Sequence, residues 1–430
     1  MNRIRLTRTT AFWSVAGTST VALLASAAPS PLYPVYQRVF GFSALTLTAI
    51  FAVYVLALVG TLLTVGSISD QVGRRPVLAV SIVLLIASMA LFLTADGVTS
   101  LLAARFLQGI ATGALTGTIS AYMVDLAPTP RLGGLVSTAS PPLGLALGGV
   151  VSGALVQYAP HPRQLIFVLL IITLAALLAL VCVLEESAPS QGFSSRRHFW
   201  QTVAPRAAVP ASVRTVFWVG LPILAATWSL AGLYLSLGSS VVARLLGVTN
   251  HATAGAVIGA FFGAAAICAT ISSLCTRSSD TAAGLRRLIG FSALGVGVCL
   301  SLLGTETSST ALYLAGSVVA GAGFGVSMHL VMSGLAETAD PAERGRVFAA
   351  VYAVSYIAFS VPAVVAGYLT IHVGLRETTL GYGIFVIALV ALAAVLTIRQ
   401  RIRLHRVDPL AAADDAFYAG LAAGPITPRV

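Results

Sequence analysis

The stretch GSISDQVGRR, Gly66–Arg75, sets three charged residues among its last six positions, in a chain where only 9% of residues are Asp, Glu, Lys or Arg. It separates two long apolar runs. Outward from it in both directions, runs of roughly 20 apolar residues recur along almost the whole length, each long enough to cross a bilayer as a helix. The chain is 57% hydrophobic with a mean hydropathy of +0.93, whereas soluble domains carry about 25% charged residues. Twelve spans can be drawn: 11–30, 45–68, 76–95, 99–124, 133–157 and 164–184, then 214–238, 252–275, 287–304, 310–335, 346–370 and 379–398. They predict an all-α integral membrane protein embedded in a lipid bilayer.

All 25 basic residues are Arg. When alternate gaps are assigned to the two sides, 20 fall on the side holding both termini. Four (Arg38, Arg163, Arg244 and Arg376) fall on the other side, and Arg105 lies inside a span. The positive-inside rule therefore predicts a multi-pass protein of the cytoplasmic membrane with both termini in the cytoplasm. The net charge of +11 forms no stripe on a folded domain, which argues against nucleic acid as a partner. Cys182, Cys268, Cys275 and Cys299 fall in or at the ends of apolar runs and read as small core residues, neither a disulfide framework nor a metal site. The first 30 residues resemble a secretory signal, but cleavage would leave eleven helices, so they are read as an uncleaved first helix.

The chain divides into an N-terminal six-helix bundle (1–185), a polar cytoplasmic linker (186–213), a second six-helix bundle (214–398) and a cytoplasmic tail (399–430). The halves echo each other. RVFGFS (Arg38–Ser43) returns as RLLGVT (Arg244–Thr249), and APTPRLGG (Ala127–Gly134) as ADPAERGR (Ala339–Arg346). Parallel repeats of this kind point to a transporter with its substrate site between the halves.

The opening stretch follows the pattern Gly-x-x-x-Asp-x-x-Gly-Arg-Arg. Gly66, Asp70, Gly73, Arg74 and Arg75 resemble the loop motif of the major facilitator superfamily, and the resemblance covers essentially the whole chain. It implies a twelve-helix fold of two six-helix pseudo-repeats, no enzymatic activity, and a loop that latches the halves on the cytoplasmic side when the opposite side is open. Carried over, Asp70 would bridge to helix 11, and Arg74 to Asp125 at the cytoplasmic end of helix 4. The related gap Cys275–Arg287 reads as a degraded copy.

Helix 4 carries RFLQGIATGALTG, Arg105–Gly117. A charge in the bilayer is costly, so Arg105 either faces a cavity with Gln108 and Thr112 or snorkels to the headgroups. Gly109 and Gly113 form a helix-packing ridge. The Arg-x-x-Gln-Gly pattern resembles the family's helix 4 motif linked to proton coupling. In helix 5, Pro141, Pro142 and Gly149 are similar to a motif of the family's antiporters, with Ser140 where a Gly is usual; kinking and close packing follow from the residues themselves. No Asp or Glu lies in the middle of any span. His329 could cycle protons or serve as a hydrogen-bonded structural residue. Tyr352 and Tyr356, one turn apart, share a face, and with other aromatic residues could bind apolar or cationic molecules.

These features favour a secondary transporter of the drug/proton antiporter-like branch, exporting an amphipathic small molecule. The alternative is a sugar or metabolite carrier. No cofactor is expected, a proton gradient supplying the energy, and the chain is expected to act as a monomer. A membrane enzyme or sensor would need clustered catalytic residues or an appended domain, and neither is present in the sequence.

Overall fold

The computed structural model describes residues 7–65, 68–187, 192–193, 195–197, 209–275, 280–340 and 343–407. Among them, twelve helices are long and apolar enough to cross a membrane. The first half contains α1 (Arg8–Ala27), α2 (Ala44–Val65), α3 (Arg74–Leu93), α4 (Val98–Leu126), α5 (Pro130–Tyr158) and α6 (Leu165–Val183). The second contains α7 (Arg214–Ser236), α8 (His251–Leu274), α9 (Asp280–Glu306), α10 (Thr310–Thr338), α11 (Arg344–His372) and α12 (Leu375–Val407). The start of α1 and the end of α12 share one side of the bundle, called here the termini side.

Several helices outrun their apolar stretches. α9 starts at Asp280 and α12 runs to Val407, so the expected boundary at 398 falls inside a helix. Long polar side chains at these ends can reach the headgroup layer while the backbone stays helical. Of the tail, residues 408–430 lie outside the described residues, as does most of the 186–213 linker. The first helix packs on α4, α5 and α6 as an integral part of its bundle.

The repeat is visible in the backbone. After α1 comes a short helix, Tyr33–Phe40, and after α7 a short helix, Gly238–Arg244. Each is followed by a glycine in the left-handed region, Gly41 and Gly247, both at φ +68°, a conformation that glycine adopts without steric cost. α4 and α10 have 29 residues each, and so do α5 and α11.

Packing repeats as well. In α4, a Cβ on Gly109 or Gly113 would strike the carbonyl oxygens of Tyr54 or Leu58 in α2. In α10, Gly321 and Gly325 meet the carbonyls of Phe261 and Ala265 in α8 in the same way. Without side chains the backbones can approach closely, which supplies the dispersion contacts that hold membrane helices together. Polar caps begin the helices. Thr129 Oγ1 accepts from the Leu132 N–H ahead of Pro130, and Asn250 Oδ1 accepts from Ala252 and Thr253, satisfying amides that a helix start leaves open.

The halves meet along two related seams, α5 on α8 and α2 on α11. α5 has two glycine faces. Gly144 and Gly148 receive α1 within the first half, while Gly149 and Gly153 receive Ile258, His251 and Gly255 of α8. The pseudo-two-fold copy of this crossing sets Gly367 of α11 against Thr48 of α2. Among the described residues these close contacts gather on the side opposite the termini. There Ser30 Oγ also donates to the Leu235 carbonyl at 2.8 Å, and the His251 N–H donates to Gln157 Oε1 at 2.9 Å. Pro141 and Pro142 are accommodated inside α5, one helix from Pro130 to Tyr158.

Candidate functional site

Three places hold the residues singled out from sequence. The first is the α2–α3 connection. Gly66 lies outside the described residues. Asp70 sits in a short helix, Ile68–Val72, and its side chain, with any bridge to α11, also lies outside them. Gly73 precedes α3 at φ +105°, and a Cβ there would fall 2.6 Å from a carboxylate oxygen of Glu186. That carboxylate accepts the backbone N–H of Arg74 at 2.8 Å and of Arg75 at 3.0 Å. It therefore sits on the positive end of α3, where an anion gains about 0.3–1 kcal/mol. Arg74 Nε lies 3.4 Å from Asp125 Oδ2, and Arg74 Nη1 donates to Ser69 Oγ at 2.9 Å. Ser187 Oγ donates to the same Asp125 oxygen at 2.8 Å. Arg75 Nη1 donates to the Leu184 carbonyl at 3.3 Å, and Arg8 donates to the Asp125 carbonyl at 2.7 Å. The network joins the termini-side ends of α1, α3, α4 and α6, all in the first half. Sequence reading placed Glu186 at a cytoplasmic helix end but gave it no role, although an acidic pair directly after an apolar span was a signal for one.

The second place is around Arg105. Its side chain is 1% exposed. The structure thus encloses the guanidinium within the first bundle, and neither snorkelling nor an open cavity face describes it. Nη1 donates to Gln108 Oε1 at 2.6 Å and to the Ser26 carbonyl at 3.1 Å. Nε donates to the Tyr33 hydroxyl at 3.0 Å, and Nη2 donates to the same oxygen. The rings of Tyr33, Tyr54 and Phe92 lie 5.5, 5.3 and 5.6 Å from the guanidinium carbon. Gln108 Nε2 donates in turn to the Ala25 carbonyl at 2.9 Å, and the Tyr54 hydroxyl donates to Ser26 Oγ at 3.2 Å. Thr112 is buried one turn further along α4. Oxygen acceptors and ring faces solvate the charge. No Asp or Glu contributes among the described contacts. Tyr33 comes from the short helix after α1, 72 residues from Arg105, and no local pattern announced it.

The third place is the aromatic wall on the second half. The Trp228 ring of α7 lies tilted against Tyr356 of α11 at 5.2 Å between centroids and edge-to-face with Phe359 at 5.7 Å. Phe324 of α10 approaches Trp228 at 6.1 Å, and Tyr352 lies near-parallel to Tyr356 at 6.4 Å. Across the seam, Phe51 of α2 meets Phe359 at 4.8 Å. Trp13 and Trp218, by contrast, are 52% and 56% exposed on the bundle surface. His329 does not join this wall. Gly321 and Gly325 of α10 face α8, and Phe324 faces α7. At 100° per residue His329 is turned roughly 140° from Phe324. Its Nε2 is buried without a hydrogen-bond partner.

The profile of the Major Facilitator Superfamily matches residues 15–280 and 271–425. The crystal structure of the human organic anion transporter MFSD10 (TETRAN) is similar over 90% of this chain and 100% of its own, with a TM-score of 0.63 and 16% identity. That likeness is one of fold. With the family profile spanning nearly all twelve helices, the chain belongs to the Major Facilitator Superfamily: it is a secondary transporter of small molecules across a membrane, not an enzyme.

Proposed function

We propose that the protein exports small amphipathic organic molecules in exchange for protons, as the drug/proton antiporters of the family do, and works as a monomer. It would sit in the cytoplasmic membrane with both termini inside, as the arginine distribution favours. The observation that carries this reading is the pairing of the aromatic wall around Trp228 and Tyr356 with the enclosed Arg105–Gln108 cluster across the seam. The wall offers flat apolar surface and few polar groups, which suits an amphiphile better than a polyhydroxylated sugar. A buried, hydrogen-bonded cation biases any proton site near it towards release, which is the task the family's helix 4 motif is linked to. With the termini inside, the close seams would lie outside, as expected of a state closed to the exterior. The Arg74–Asp125 and Glu186 contacts then brace the cytoplasmic end of the first half, and Asp70 would catch α11 when that end closes.

The test uses inside-out vesicles energised to an acidic lumen and followed with a pH-sensitive dye. Neutral drugs, lipophilic ions and sugars are added in turn, with Arg105→Ala vesicles alongside. Compound-dependent proton release that the variant lacks supports the reading. Silence across the panel from folded protein would overturn it and direct attention to uptake of sugars and metabolites.

A further inference from the structure

The aromatic wall has donors without acceptors. Trp228 Nε1 is buried and unpartnered, and so is Ser355 Oγ. Ser355 is 0% exposed, and with Tyr352, Tyr356 and Phe359 it falls within an arc of about 100° on α11. A buried donor left unpaired is costly, and native structures rarely tolerate one without a reason. Trp228 packs against rings on both α10 and α11, so its N–H is held in place by packing, while its hydrogen-bonding capacity stays unused.

The charge around the wall is one-sided. All 14 acidic residues lie outside the middle of the spans. Within the middle of the spans the one formal charge is Arg105, in the first half, whose guanidinium sits 5.3 Å from the Tyr54 ring of α2. A ligand seated on the wall thus meets unpartnered donors, with no carboxylate in the middle of the spans to neutralise a positive charge of its own. Ring faces do attract cations, but stripping a cation of water without a counter-ion costs more than the rings return.

We propose that the site formed by Trp228, Ser355 and Tyr356 takes aromatic amphiphiles that are neutral or anionic and carry a hydrogen-bond acceptor, and that it discriminates against permanent cations. The acceptor engages the Trp228 N–H, and the aromatic body lies against Tyr352 and Tyr356. This inference rests on the export reading for its physiological meaning, but its geometry can be tested by binding alone.

The experiment measures equilibrium binding of four naphthalene probes to the purified full-length protein: a methyl ester, a carboxylate, a trimethylammonium salt and plain ethylnaphthalene. The ester and carboxylate should bind, and the trimethylammonium probe should bind at least about tenfold more weakly, a difference of about 1.4 kcal/mol. Trp228→Phe keeps a ring and removes the N–H. It should weaken the ester and carboxylate by about tenfold and leave ethylnaphthalene unchanged, and Ser355→Ala should act in the same direction. Equal binding of the cation, equal weakening of all four probes, or no binding by any of them would overturn the proposal. Selective binding without probe-driven proton release in vesicles would sink the export reading and leave the site. Proton release driven by cations and indifferent to Trp228→Phe would do the reverse.

Discussion

At the scale of single residues, Arg105 shows how a charge survives inside a membrane protein without an acid. The bilayer cost of an arginine is at least about 2.5–3.5 kcal/mol, and here four hydrogen bonds and three ring faces offset it. A lysine cannot replace this arrangement, because an ammonium lacks the planar fork that reaches Tyr33, Ser26 and Gln108 together. Arg105→Lys should therefore lower transport by roughly tenfold or more and destabilise the fold by about 1–3 kcal/mol per acceptor left unpaired, read from vesicle flux and thermal unfolding. Wild-type behaviour in both would mean that charge alone suffices. At the α2–α3 connection, Asp70→Asn should slow turnover and leave the unfolding temperature within a degree or two, because an ionic catch that must open in every cycle can be worth only about 0–1 kcal/mol. Unchanged turnover would count against a gating role. The sequence marked Arg105 and Asp70 as conspicuous charges. It was silent on Tyr33 and Ser26, since their approach depends on the chain folding back after α1.

Glycine ridges decide how the elements pack. The ridge in α4 was legible as Gly-x-x-x-Gly, and its copy in α10, Gly321 and Gly325, carried the same spacing 212 residues later and could have been read by extending the repeat. Both ridges press on backbone carbonyls of the neighbouring helix, so a single methyl has to push two helices apart. Gly109→Ala and Gly321→Ala should each cost about 1–3 kcal/mol. Because the sites lie in different halves, the costs should add in the double variant, as measured by thermal unfolding in detergent; a neutral Gly321→Ala would show that the second half relaxes where the first cannot. The symmetry stops at chemistry. With α10 starting 212 residues after α4, the position equivalent to Arg105 is Ser317, which shares a hydrogen bond of 2.8 Å with Tyr234. One half is charged where the other is neutral.

For the whole molecule, the two halves meet at the crossings Gly153–Gly255 and Thr48–Gly367, on the side opposite the termini. A bulky residue there should wedge that side open. Gly255→Leu is expected to speed labelling of a Ser30→Cys variant by a membrane-impermeant maleimide, since Ser30 is 1% exposed and hydrogen-bonded across the seam. Labelling that stays slow would mean that the α5–α8 crossing does not hold that side shut.

Hydropathy alone determined the twelve helices, because a bilayer demands roughly 20 apolar residues per crossing and the gaps are where charge can collect; the echoed loops marked the two halves, and the Gly66–Arg75 pattern pointed to the family. The charged loop and the first glycine ridge were likewise local patterns. Tertiary structure alone decided that Arg105 is enclosed, that Glu186 caps α3, that His329 turns away from the aromatic wall and that Trp228 carries an unused donor. Each of these depends on which helices lie side by side, and with lipid as apolar as the helix surfaces, hydropathy cannot tell one neighbour from another.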